Sequence, residues 1–181
     1  NSHSPHIEAL DVLSMKIFDA LKKNNGLTDR DKLLLEVAVI LHDCGKYISM
    51  VNSAQCAYEI IMASEIIGLT HAEREIVALT VLYNSIQLDL YEDLSDRIDY
   101  GSYIKVAKLS AILRVANALD QSHMQKFKNV KTSLKGRELI ITLEVFEDIS
   151  LEQALFENKI AYFENVFSIK PVLKQKIIYD V

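Results

Sequence analysis

Twelve residues, KLLLEVAVILHD (32–43), limit the fold more than any other stretch. Wound as a helix, the run places Leu, Val, Ile or Ala on nearly every side, so the helix must lie at the centre of a packed domain rather than on its surface. Thr28 with Asp31 three residues later has the pattern of a capping box and opens it. At its other end the apolar run gives way to His42-Asp43, and Gly45 can stop the helix. A central helix that ends in two adjacent metal-ligating side chains is a fold constraint and a chemical clue together.

The helical signal continues on both sides. Residues 5–24 carry Ile7, Leu10, Leu13, Ile17 and Leu21 at three- and four-residue spacing, and NNG (24–26) ends that helix. Ser53 can open a helix over AQCAYEIIMASEI, which Gly68 breaks. Thr70 with Glu73 is a second capping box, ahead of HAEREIVALTVLYNS. Residues 85–101 lack a clear period and read as loops with at most a short helix. Residues 102–123 are helical again. Then the period changes: NVKTSL and RELIITLEV read as two strands about a turn at Lys135-Gly136. Ser150 can cap a helix over LEQALFENKIAYFENVFS, and KPVLKQKIIYD reads as a closing strand with Pro171 near its start. The expected fold class is mostly α: a helical domain (1–123) followed by a small ββαβ appendage (124–181).

A chain of 181 residues, half of them apolar and a quarter charged, suits one compact soluble domain with such an appendage. No apolar run reaches the roughly 18 residues that span a bilayer. The start, NSHSPHIEAL, has no secretory pattern, and because it is not Met the chain is expected to be a fragment or a processed form. Cys44 and Cys56 lie in apolar helical surroundings and are expected to be buried, reduced thiols, which fits a cytoplasmic protein. The net charge is −5 but uneven: residues 1–123 carry 11 basic and 17 acidic side chains, residues 124–181 carry 9 and 8.

Two features could carry chemistry. His42 and Asp43 offer an imidazole nitrogen and a carboxylate oxygen, a set that suits Zn, Mn or Fe. His6 could add a third ligand. ANALD could supply a fourth from Asn117 or Asp120, one helical turn apart. The competing reading is a hydrogen-bonded pair that closes a helix, with Asp120 as partner of Arg114 or of the lysines that follow. The second feature is QSHMQKFKNVKTSLKGR (121–137), which holds Lys126, Lys128, Lys131, Lys135 and Arg137 and no acid. Such a run suits a polyanion; Lys105, Lys108, Arg114 and His123 could extend its path. The competing reading is a solvated hairpin whose lysines blunt a sheet edge. Nucleic acid is disfavoured by the negative net charge and the lack of base-stacking aromatics.

LHDCGKYI, with HIEALDVLSMKIFDAL before it and EREIVALTVLY, LSAILRVANALDQSH and LEQALFENKIAYFENVF after it, resembles the C-terminal region of the exopolyphosphatase/guanosine pentaphosphatase (Ppx/GppA) family. The resemblance covers nearly the whole chain and implies an HD-type helical fold. In that family the phosphatase site lies in N-terminal domains of actin-like fold, whose phosphate loops are not in this sequence. The five glycines here are all isolated. The HD metal pattern is His, then His-Asp, then a distal Asp. His6, His42 and Asp43 match it, while Asn117 stands at the distal Asp. Gln55 and Asn84 also stand where the family has histidines.

The resemblance therefore implies an accessory C-terminal domain of an exopolyphosphatase-type enzyme, not catalytic alone. It would position polyphosphate or a guanosine polyphosphate, work with actin-like catalytic domains, and support a homodimer. The alternatives are a metal-dependent HD phosphohydrolase acting on a nucleotide and a pure dimerisation module. No metal is expected unless the HD set is functional, and no membrane partner is expected.

Overall fold

A computed structural model describes residues 5–123 and 127–179, with the backbone alone at 121–123. The elements run α1 (Pro5–Leu21), α2 (Asp29–Leu41), α3 (Ser53–Ala63), α4 (His71–Tyr83), α5 (Tyr91–Leu94), α6 (Tyr100–His123), β1 (Phe127–Lys135), β2 (Glu138–Val145), α7 (Ser150–Glu157), α8 (Ala161–Phe167) and β3 (Lys170–Ile177). Short 3-10 turns cover Lys22–Asn24 and Cys44–Tyr47. The chain is thus mostly α with a small sheet near its C-terminus, as its periodicities predict. Contacts divide it into two compact units, Leu27–Leu113 and a second one made of Asn1–Gly26 with Arg114–Val181. The change of pattern at 123/124 reads as a boundary in sequence, whereas contacts group α1 with the strands. The physical reason is direct: α1 packs on β1, and Thr132 Oγ1 donates to the Lys16 carbonyl at 3.1 Å.

In the unit Leu27–Leu113, α2 and α3 each pack against α4. Nine consecutive residues of α4, Glu75 to Tyr83, are buried. Both expected capping boxes form, with Thr28 and Asp31 on α2 and Thr70 and Glu73 on α4. At α3 the N-cap position falls to Asn52, with no side-chain cap bond, and Ser53 is its first residue. Charge ties two helix starts together. Arg30 Nε lies 2.5 Å from Glu73 Oε2, one guanidinium nitrogen lies 2.9 Å from Glu73 Oε1, and it also donates to the Gly68 carbonyl. This fork holds the Glu73 carboxyl down at about 2, against an ordinary 4.5, chiefly through the Arg30 hydrogen bond and then the Thr70 backbone.

A lowered folded pKa favours the native state only where the unfolded carboxylate is also ionised. The Glu73 contribution is therefore complete above about pH 5 and is lost as pH falls through about 2. In urea titrations between those limits, Arg30→Ala is expected to flatten the acid decline. An unchanged decline would show that the pair carries no stability.

In the unit containing the sheet, strand order is β1-β2-β3, with β1 antiparallel and β3 parallel to β2. The parallel pair requires a crossover, which α7 and α8 supply. The expected single helix over 150–168 is broken at Asn158–Ile160, so the appendage is ββααβ. Ser150 does not cap α7; its hydroxyl donates to Asp148 Oδ1 at 2.7 Å, and Ile149 takes the cap position without a side-chain bond. Ser168, left-handed at φ 53, ends α8. Leu139, Ile141, Leu143 and Val145 alternate on the inner face of β2 and are fully buried. Each contributes about 1.5–3 kcal/mol relative to exposure. Phe156, Phe163 and Phe167, from α7 and α8, are buried in the same unit, and the rings of the last two meet at a tilt with centroids 4.6 Å apart.

Candidate functional site

His42 follows the last residue of α2 and is buried, at 8% exposure. Helical periodicity brings its ring back over the preceding turn, where Nδ1 meets the Val39 carbonyl at 2.6 Å. A carbonyl only accepts, so Nδ1 carries the hydrogen. In the neutral ring Nε2 then presents its lone pair, and it lies 3.3 Å from Asp43 Oδ1. Two acceptors face each other across that gap, an arrangement that a proton or a cation stabilises. Fixing the far ring nitrogen on a backbone carbonyl is also how metal-ligating histidines are commonly oriented. Competing with an ion is Lys46, whose ammonium lies 2.7 Å from the same Asp43 oxygen.

Gly45 anchors this segment. A Cβ there would fall 1.9 Å from the Ser53 carbonyl oxygen and 2.5 Å from the Ala57 nitrogen. Only a residue without a side chain lets the 3-10 turn lie against the start of α3. The neighbouring Cys44 Sγ approaches the Ala57 carbonyl at 4.0 Å, and burial pushes its thiol up, away from the thiolate a metal would want. Cys44 and Cys56 are both free, as expected, and half-buried rather than fully buried.

The other expected ligands belong to the sheet-containing unit. His6 Nδ1 is hydrogen-bonded to Asp120 Oδ2. Asp120 is 4% exposed, and its second oxygen accepts no hydrogen bond from the described residues. So the described partner of Asp120 is His6. Arg114, its anticipated partner, lies over the Tyr162 ring at 4.2 Å. Asn117, one turn before Asp120, is half-buried on α6. Within each unit the donors suit a divalent ion: an oriented imidazole beside a carboxylate in one, an imidazole beside a carboxylate with an unsatisfied oxygen in the other. Asn84 is buried, and its Oδ1 likewise accepts no hydrogen bond from the described residues. Gln55 is exposed and donates to Glu59 Oε1 at 3.2 Å.

The basic residues separate into distinct groups. Lys131 and Lys135 are exposed on β1, four residues apart and so on the same sheet face. Lys128 sits at a register shift between Phe127 and Asn129 and lines an apolar groove of about 300 Å3 between α1 and β1, with Ala9, Val12 and Phe127. Arg137 is exposed in the turn after β1. Lys105 is not free for a ligand: its ammonium lies 3.1 Å from Oδ1 of the fully buried Asp31. Lys108 is half-buried on α6. His123 and Lys126 lie outside the described side chains. Sequence reasoning missed Lys46 and the Asp31–Lys105 pair. The first was legible in the i, i+3 spacing from Asp43; the second joins residues 74 positions apart and left no local signal.

No helix among the described residues is long and apolar enough to cross a membrane. Comparison with curated proteins gives no match. A family model does match: Ppx/GppA phosphatase, domain III, over residues 4–162. That span covers most of the chain and includes every helix that carries the His-Asp pair, its candidate co-ligands and the first lysines of the sheet. This chain belongs to the Ppx/GppA phosphatase family, and what it contains is domain III of that family.

Proposed function

We propose that this chain is an accessory domain of an exopolyphosphatase-type enzyme that holds polyphosphate, or a related phosphate compound such as a guanosine polyphosphate, and does not hydrolyse it alone. The observation that carries the binding half is the pair Lys131 and Lys135, exposed on one strand and joined by no ion pair to another described residue. Repeated lysines at that spacing give salt-sensitive affinity for a phosphate chain. Two features support the non-catalytic half. A lysine already neutralises Asp43. An amide stands at Asn117, and an amide oxygen neither charge-balances a metal nor binds it as a carboxylate does. Pairing with a second copy, or with actin-like catalytic domains, belongs to the same proposal. Its support is a run of uncovered apolar side chains, Tyr47, Ile48, Met50 and Val51, the first of them 94% exposed.

A second reading, a metal-dependent phosphohydrolase using the ligand set of the HD pattern, is favoured by the way Val39 orients His42. One experiment separates the two. The chain is incubated with Mn and either polyphosphate or a guanosine polyphosphate, and phosphate release is followed beside binding. The expected result is binding of polyphosphate with no release above the His42→Ala control. Release that disappears in His42→Ala would establish the second reading instead.

A further inference from the structure

Strand register reveals a basic surface that the sequence does not show as one. Inward residues of β2 are Leu139, Ile141, Leu143 and Val145, so the alternate positions face outward. Pairing then aligns Lys131, Thr142 and Lys174 in one row across all three strands. Lys176 lies two residues beyond Lys174 on the same face of β3, beside Glu144; at the other end Lys135 and Lys170 flank Glu138. The five lysines are exposed, and the outward residues of β2 from Ile140 to Glu144 are half-buried. The face carries five lysines against two glutamates, in a chain whose net charge is −5. No ion pair joins any of the five to another described residue.

We infer that the open face of the sheet, with Lys174 and Lys176 of β3 and Thr142 of β2 beside Lys131 and Lys135, is the surface along which a phosphate polymer lies. The inference rests on the polyphosphate reading above and adds residues to it. Strands are about 4.8 Å apart and alternate residues about 7 Å apart along each. Lys131 and Lys174 are thus about 10 Å apart with the Thr142 hydroxyl between them, within reach of a chain crossing the strands. The chemistry selects among polyanions. Lysines and hydroxyls engage phosphate oxygens, while single-stranded nucleic acid also needs aromatic platforms for its bases, and this face has none. An acidic protein surface would meet the same lysines, but it offers no row of closely repeated charges to match them.

The test uses the 181-residue chain and end-labelled polyphosphate, with anisotropy read across a salt series. Lys174→Glu/Lys176→Glu is compared with Lys23→Glu/Lys159→Glu, which makes the same change in net charge at exposed positions off the sheet. The expected result is at least a tenfold loss at low salt in the first variant. The slope of log affinity against log salt falls with it by about 1.4, at roughly 0.7 per phosphate contact. Equal losses in both variants would overturn the inference, because only net charge would then matter. Wild-type binding by Lys174→Glu/Lys176→Glu, with loss in Lys131→Glu/Lys135→Glu, would overturn the β3 part and leave the polyphosphate reading standing. No binding by the unmodified chain would overturn both. Tighter binding of single-stranded DNA than of polyphosphate of equal charge would overturn the choice of ligand. A variant that changes only the mass of the protein in solution would make the face a contact between copies, and the inference would fall. Circular dichroism confirms that each variant folds.

Discussion

Gly45→Ala is expected to lower the unfolding free energy by about 3 kcal/mol, at the upper end of the range for overpacking a close contact. The clash is not with a side chain that can swing aside. Both atoms nearest to the added Cβ are backbone, the Ser53 oxygen at 1.9 Å and the Ala57 nitrogen at 2.5 Å. Relief requires moving α3 or opening the 3-10 turn that carries Lys46 against Asp43. Gly101→Ala is the natural control. Its Cβ would meet only Asp99 Oδ1 at 3.4 Å, in the first turn of α6, so a small gain of stability is expected. Urea unfolding of the two variants checks both signs. Similar midpoints for Gly45→Ala and wild type would mean that the turn and α3 do not approach as described.

Lys105→Met should cost about 2 kcal/mol, less than the roughly 3–5 kcal/mol for breaking a fully buried pair because the lysine side chain is 43% exposed. What remains after the change is the harmful part. Asp31 is fully buried, and one of its oxygens already serves the Thr28 amide at 2.9 Å. The other faces Lys105 as an ion pair without a well-aligned hydrogen bond. Without the ammonium, a buried carboxylate keeps its charge with nothing to balance it. Double substitution with Asp31→Leu should recover part of the loss. The same variant bears on function: if Lys105 serves the fold, Lys105→Met will leave polyphosphate affinity at native pH within about twofold, a small electrostatic change.

The reading of the sequence succeeded where the cause is local. KLLLEVAVIL had to be a central helix because an all-round apolar helix has no solvent face, and Leu34, Leu35, Ala38 and Val39 are indeed buried. Thr28 and Thr70 each stand three residues before a carboxylate, and both boxes close. Failures came where distant residues decide. Nothing near Ile160 announces a break, yet the crossover from β2 to β3 is made by two short helices rather than one. The basic stretch read as a continuous run, but a strand sends alternate side chains to opposite faces, and the register shift beside Lys128 parts it from Lys131. The lysines that join Lys131 come from β3, some 40 residues later, and only the pairing with β2 brings them to one face.

Two partners of α1 are made more than a hundred residues after it. His6 bonds Asp120 across 114 positions, and Lys16 accepts from Thr132 across 116. During synthesis at about 5–20 residues per second, α1 leaves the ribosome on the order of ten seconds before those partners exist. For that interval α1 lacks the strand it packs on, while residues 27–113 have all left the ribosome. Long-range closure of this kind is slow relative to local helix pairing. A chain cut short before β1 would therefore leave the β1-facing side of α1 without its native partner, the form in which a nascent chain most needs a chaperone.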